Sequence, residues 1–355
     1  MHCNMGTRRQ MMRLALGGLG LALTSCGSGT QSTPRATLVE GRNVALSGAG
    51  ATFPATLYKR WFSEFNRLHP NVQVTYQSLG SGAGVRLFTS GSVDFGASDV
   101  GMAEDDRAKV KSGALQLPVT GGSIILSYNL PGVNALRLSR EAYINILLGK
   151  ITRWNDPILE RDNPNESLPD RPITVVYRSD RSGTTGYFTK HLSTVSKEWR
   201  ETLGEGGSVK WRTGIGGNGN EGVTAIIKER EGAIGYVEYS YARQNDLSFA
   251  LLENKSGQFI LPSPETAART LGSLVLPPSL LAFNPDPTDP QSYPVVTFSW
   301  LLVNQKYDDA DKGMAIKELL TWIVSEGQQF SDQLGYVPLP DNVTSRLQQA
   351  IATIT

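Results

Sequence analysis

From Val44 onward the apolar positions switch repeatedly between a spacing of two and a spacing near three and a half. These are the rhythms of strands and helices. Val44-Ala-Leu-Ser predicts a strand ending at Gly48, and Val72, Val74 and Tyr76 alternate as a second. Between them Leu57, Trp61, Phe65 and Leu68 share one face of a helix over 56–68. Further strands are predicted over 93–98, 116–126, 173–177, 232–239 and 295–303, and helices over 85–89, 184–192 and 312–330. Strand and helix in alternation argue for α/β architecture. Two apolar strands, over 124–127 and 295–301, stand out as crossings between lobes. A chain that crosses twice builds one lobe from both of its ends. That places 44–127 plus 297–355 in lobe I and 128–296 in lobe II, with two sequential domains as the alternative.

The first residues have a different character. Arg8, Arg9 and Arg13 precede a short apolar run over 14–24, and Leu23-Thr24-Ser25-Cys26 closes it. This is signal-peptide architecture over 1–25. The apolar run is about 11 residues, whereas a bilayer span needs about 20. The four closing residues resemble a lipobox, which would make Cys26 the acylated mature N-terminus; an ordinary cleavage site is the alternative. Thr7-Arg8-Arg9-Gln10-Met11-Met12-Arg13 also resembles a twin-arginine export signal. Residues 26–43 are small and polar and predict a flexible tether behind the lipid.

Composition narrows the function. The chain of 355 residues is long enough for two cores. It carries 34 basic and 33 acidic residues, which offers no basic stripe for nucleic acid. Its two cysteines are Cys3 and Cys26, so the mature chain holds no disulfide and no thiolate metal site. The mature histidines, His69 and His191, are expected at the surface rather than as bases. No Gly-x-Ser-x-Gly elbow and no HExxH pattern is present. The Gly214–Gly222 stretch lacks the Gly-Lys-Ser/Thr ending of a nucleotide P-loop. A catalytic site therefore has little material, and neither metal nor cofactor is expected.

The informative feature is three Ser/Thr-Gly clusters at strand-to-helix junctions. They are Gly48-Ala-Gly-Ala-Thr-Phe-Pro, Gly80-Ser-Gly-Ala-Gly and Arg178-Ser-Asp-Arg-Ser-Gly-Thr-Thr-Gly. Pro54 suits a first helical turn and Thr52 an N-cap. A helix N-terminus presents unpaired N–H groups and the positive end of a dipole, a ready anion site. Arg178 adds a guanidinium fork suited to a tetrahedral oxyanion. One such junction is usually a cap and nothing more. Three, with glycines that allow close backbone approach, point to one bound anion.

Gly48-Ala-Gly-Ala-Thr-Phe-Pro-Ala, Val93-Asp-Phe-Gly-Ala-Ser-Asp and Arg181-Ser-Gly-Thr resemble the ligand motifs of the periplasmic phosphate-binding protein family. Leu148-Gly-Lys-Ile-Thr-Arg-Trp-Asn-Asp, Gly214-Ile-Gly-Gly-Asn-Gly-Asn-Glu-Gly and Gly232-Ala-Ile-Gly-Tyr-Val-Glu-Tyr extend the resemblance over about 44–342. It implies the type II Venus-flytrap fold, two α/β lobes that close on a buried ligand. It implies phosphate contacts from the N–H groups of Thr52 and Phe53, the Thr52 hydroxyl, and the N–H and hydroxyl of Ser81. Ser182, Gly183 and Thr184 would add N–H donors, with hydroxyls from Ser182 and Thr184. Arg178 would bind the anion, held by Asp180, and Asp99 would face the ligand as an acceptor. A monomer is implied, lipid-anchored outside the inner membrane, whose partner is the permease of a phosphate ABC transporter. Arg181 departs from the family, which has a small residue there; it either points to solvent or raises the field at the cleft.

An acid in an anion site makes sense for phosphate. A carboxylate accepts a hydrogen bond from a protonated phosphate oxygen, whereas sulfate offers it only lone pairs and like charge. An unmet partner in a buried site yields discrimination on the order of 10⁴ or more. For Asp99 an N-cap role is the alternative. A same-fold carrier of another oxyanion and a phosphate sensor also remain as alternatives for the whole chain.

Overall fold

The computed structural model describes residues 42–355. The expected signal peptide over 1–25, Cys26 and most of the expected tether over 26–43 lie outside the described residues. Arg42, expected in that tether, is engaged: its guanidinium donates to both carboxylate oxygens of Asp311 at 2.8 and 2.7 Å.

The strands are β1 (Val44–Gly50), β2 (Val72–Ser78), β3 (Phe95–Ser98), β4 (Ala114–Tyr128), β5 (Arg137–Leu138), β6 (Thr174–Arg178), β7 (Ile215–Gly217), β8 (Ala233–Glu238), β9 (Ser248–Phe249), β10 (Leu251–Glu253), β11 (Phe259–Ile260) and β12 (Val296–Asn304). The helices are α1 (Ala55–Leu68), α2 (Ser81–Thr89), α3 (Glu104–Arg107), α4 (Arg140–Leu147), α5 (Pro157–Asp162), α6 (Gly183–Val195), α7 (Lys197–Thr202), α8 (Gly219–Glu229), α9 (Tyr239–Gln244), α10 (Pro264–Gly272), α11 (Ala310–Val324) and α12 (Asp341–Ala352).

The principal sheet runs in the order β2-β1-β3-β12-β4-β8-β6-β7. Its first part is parallel from β2 to β3, and β12 enters antiparallel between β3 and β4. Its second part joins β8, β6 and β7 in parallel, with β8 antiparallel to β4. The two parts meet along β4. Residues 114–123 pair with β12, from Ala114 opposite Asn304 to Ser123 opposite Val296. From Ile124 the same strand pairs with β8 instead. The chain thus forms two lobes joined by two neighbouring strands, β4 and the start of β12.

Burial explains why these segments read as apolar runs. From Gln116 to Tyr128 every residue of β4 is buried, because helices and strands cover both faces. In lobe I, α1 packs Tyr58, Trp61, Phe62 and Phe65 inward. The Trp61 indole donates to the Gly327 carbonyl at 2.6 Å, which ties α1 to the short 3₁₀ turn after α11. In lobe II, Trp154 donates to the Gly232 carbonyl at 3.1 Å, and Phe188, Trp211 and Tyr236 stack in series.

Several expectations are corrected. The helix foreseen over 312–330 ends at Val324, because Ser325 leaves the helical region (φ −114°, ψ −95°) and a 3₁₀ turn follows. Helix α2 starts at Ser81 rather than Val85, since Gly80 turns the chain with φ 91°. Both histidines are buried rather than superficial. His69 stacks on Phe65 and lies 3.0 Å from Glu318. The His191 ring contacts the Pro285 carbonyl at 2.6 Å and the Tyr143 hydroxyl at 2.9 Å. Burial lowers its pKa to about 4, against the pull of the Pro285 carbonyl, so the ring is neutral and fastens the proline-rich loop to α6.

Trp61→Ala should lower stability by about 3–5 kcal/mol, the cost of emptying a large aromatic site. Urea unfolding of the variant checks this.

Candidate functional site

Each expected residue lies at the end of a strand or the start of a helix, and these segments converge. Thr52, Ser81, Asp99, Arg178, Ser182 and Thr184 are all at most 3% exposed. Thr52 and Phe53 lead from β1 into α1, Ser81 opens α2, and Asp99 follows β3. Arg178 ends β6, Ser182 caps α6, and Gly183 and Thr184 are its first residues. The first four positions belong to lobe I and the last four to lobe II.

Arg178 is the cationic centre. Its Nε donates to Asp180 Oδ1 at 2.7 Å and its Nη2 to Oδ2 at 2.6 Å. Burial pushes the Asp180 carboxyl up, but the bonds and charge of Arg178 outweigh it and hold the carboxyl below its ordinary range. The Gly219 N–H adds a third bond at 3.1 Å. Fixed in this fork, Arg178 turns Nη1 to the Thr184 hydroxyl at 3.3 Å, and its remaining N–H groups stay available to a further acceptor.

Asp99 sits opposite. Its Oδ1 accepts from the Ser299 hydroxyl at 2.8 Å. Around Oδ2 the hydroxyls of Ser81 and Thr184 lie at 3.4 and 3.5 Å, one from each lobe. Burial raises the carboxyl to about 7, opposed by the Ser299 bond, the Arg178 charge and the two hydroxyls. Asp99 therefore changes between acceptor and donor near neutral pH. It caps no helix: α3 starts at Glu104, after Ala103.

The remaining donors are sorted by what already holds them. The Thr52 hydroxyl accepts from the backbone N–H of Asn220 at 3.1 Å and from its side-chain amide at 2.8 Å, so its own proton is directed elsewhere. Thr52 is not the N-cap of α1. That position is Pro54, with no side-chain cap; the Ala55 N–H turns back to the Thr52 carbonyl at 3.2 Å. Ser182 corrects another expectation. Its N–H is committed to the Gly207 carbonyl at 2.8 Å, so Ser182 cannot offer a backbone donor. Its hydroxyl accepts from the Thr185 N–H at 3.1 Å and keeps its proton. Gly183 lies where only glycine fits: a Cβ there would fall 2.3 Å from Ser81 Oγ and 2.9 Å from the Asp99 nitrogen. The two lobes are closed on one another at this point.

Four residues that shape the site were not foreseen. Asn220 holds Thr52 through its side-chain amide, and its Oδ1 accepts from the Glu238 N–H at 2.9 Å. Its stretch, Gly214 to Gly222, holds a fourth strand-to-helix junction, β7 into α8; Val223, Ile226 and Ile227 carried the helical signal. Ser299 is a polar residue in an apolar strand, and the ladder shifts register between Ser299 and Trp300. Tyr241 donates to the Thr52 carbonyl at 2.6 Å, and Tyr336 to the Phe53 carbonyl at 2.8 Å. Tyrosines gave no local signal, because their partners are distant in sequence. Among the described residues, no group of His, Cys, Asp or Glu is arranged to hold a metal, and no helix is long and apolar enough to cross a membrane.

What this arrangement does is hold charge with dipoles. The Arg178–Asp180 pair is neutral overall, and the N-termini of α1, α2, α6 and α8 border the same space. Gly183→Ala should force the lobes apart, at a cost of about 1–3 kcal/mol for an overpacked contact. Small-angle scattering should show a larger radius of gyration for it and not for Ser182→Ala, which adds no bulk.

Comparison with known proteins agrees with this geometry. A family model described as PBP superfamily domain matches residues 27–327. The phosphate-binding protein PstS of Pasteurella multocida is 41% identical over 309 residues, 85% of this chain and 88% of that protein. The phosphate-binding protein PstS of Methanocaldococcus jannaschii is 37% identical over 91% of this chain and 89% of its own. In structure, the chain resembles a high affinity periplasmic phosphate-binding protein solved with phosphate at pH 8.5, with a TM-score of 0.70 and 21% identity over 86% of this chain and 93% of that one. It also resembles a putative phosphate ABC transporter substrate-binding protein from Clostridium perfringens solved with bound phosphate, at a TM-score of 0.60 and 18% identity over 83% and 100% of the two chains. A cleft of converging helix N-termini between two lobes and this degree of relatedness lead to one conclusion: the chain belongs to the PBP superfamily and, within it, to the PstS family of phosphate-binding proteins.

Proposed function

We propose that this protein binds inorganic phosphate in the cleft and hands it to a phosphate ABC transporter, without chemistry on the ligand. The observation that carries the reading is a buried acid among donors: Asp99 faces Ser81, Thr184 and the Arg178 side of the cleft. A site for an anion without protons gains nothing from a carboxylate. A protonated phosphate oxygen has a proton to give it. The ligand contacts are assigned to Thr52, Phe53, Ser81, Asp99, Arg178, Ser182, Gly183 and Thr184, with Asp180 positioning Arg178.

Mechanistically, the anion meets half of its donors in either lobe alone. Thr52, Phe53, Ser81 and Asp99 belong to the part over 44–127 with 297–355, and the Arg178–Thr184 segment to the part over 128–296. Ligand favours the closed state because only that state presents both sets. The closed surface is what the transporter reads. The chain acts outside the inner membrane as a monomer, held there through Cys26. Both described histidines are engaged away from the cleft, which supports binding without catalysis.

Calorimetry with the purified protein should give tight phosphate binding and no turnover. Sulfate should bind weakly at pH 8, where Asp99 is ionised, and more tightly at pH 5. The sign follows from a carboxyl near 7: below it Asp99 gains a proton and donates to an oxyanion, and above it Asp99 repels one. Asp99→Asn should flatten that profile and reduce the preference for phosphate; an unchanged preference removes Asp99 from selectivity. Labelling with palmitate should mark the wild type and not Cys26→Ser, which tests the anchor.

A further inference from the structure

Arg181 is the residue of the third junction that the ligand set does not use. It follows Asp180 and precedes Ser182, so it stands at the rim of the site on the lobe II side. Its backbone carbonyl accepts from the Gly82 N–H of α2 in lobe I at 2.9 Å, a hydrogen bond that spans the cleft. Its side chain extends over the same glycine. A Cβ placed on Gly82 would lie 2.7 Å from Arg181 Cβ and Cγ and 2.8 Å from Cδ. On the other side a Cβ on Gly207 would lie 3.2 Å from Arg181 Cγ. The aliphatic stem is therefore sandwiched between two glycines, one from each lobe. The residue itself is exposed, and no acid among the described residues pairs with its guanidinium. Arg153, Arg161 and Arg171, by contrast, all have carboxylate partners on the surface of lobe II.

We propose that Arg181 is the mouth residue of the cleft: its free charge draws the anion in, and its stem bridges the lobes once they have closed. This rests on the cleft being the phosphate site. The physics separates the two parts. An unpaired cation beside a narrow opening raises the local concentration of an anion and so its association rate, and salt screens that effect. A stem packed against the opposite lobe exists only in the closed state, so losing it speeds opening and release. The bond from Gly82 to the Arg181 carbonyl belongs to the backbone and survives any side-chain change.

The test is stopped-flow measurement of phosphate association and dissociation with the purified full chain at low and high salt. Arg181→Met keeps a stem and loses the charge. It should lower the association rate about threefold at 10 mM salt, the factor for a unit charge acting on a divalent anion at about 10 Å in water with a screening length of about 30 Å. That difference should vanish at 1 M salt, where the screening length is about 3 Å. Its dissociation rate should stay near wild type. Arg181→Ala loses Cγ and Cδ as well, and should release phosphate about tenfold faster, as roughly two lost buried CH₂ groups imply. Arg181→Glu should slow association further than Met at low salt only. Association rates that are equal in wild type, Met and Glu variants at low salt overturn the proposal, as does identical release from the Met and Ala variants. Failure of the wild type to bind phosphate would instead reject the function assigned above.

Discussion

Everything at the cleft depends on how Arg178 is held. A guanidinium at 1% exposure would be a severe electrostatic load if unpaired. Asp180 removes that load through a two-pronged contact at 2.7 and 2.6 Å. The positive end is thereby fixed in direction without adding net charge to the interior. An incoming anion then meets oriented dipoles rather than a counterion. This is also why the whole chain needs no basic surplus to bind one: 34 basic residues stand against 33 acidic.

Closure is written into contacts that cross between lobes. Gly183 against Ser81, Asn220 against Thr52, and the Gly82 N–H on the Arg181 carbonyl all unite lobe II with lobe I. Tyr336 extends the series, since it bonds the Phe53 carbonyl and the hydroxyl of Ser240. Beside it lies Glu238, buried and raised to about 8 by desolvation in spite of its bonds to Ser240. Ser299 lies on β12, the strand that helps join the lobes, and holds Asp99 Oδ1. The buried Asp99 is thus anchored to a strand that helps join the lobes.

Much of this was legible in the chain because it depends on local rules. Strand-to-helix junctions are marked by Gly, Ser and Thr, and apolar spacing marks which segments are strands. The crossing strands announced themselves because both faces of β4 and β12 are covered. What could not be read depends on partners far apart in sequence. Nothing near Tyr336 tells that its hydroxyl meets Phe53, a separation of 283 positions. Ser182 misled for a related reason: its N–H belongs to Gly207, in a loop whose path is set by tertiary packing. Asn220 lay within a stretch that sequence marked as glycine-rich, but its role required knowing that α8 starts there.

The position of β12 has a consequence for how the molecule is made. It lies between β3 and β4, although more than 160 residues separate it from the latter in the chain. Until it arrives, both of those strands present an open row of backbone groups at the middle of what becomes the sheet. Lobe II, by contrast, is largely one uninterrupted stretch that can close its own contacts early. Synthesis from the N-terminus therefore leaves the first lobe unfinished until nearly the whole polypeptide exists. The order of synthesis and the order of the sheet are therefore out of step.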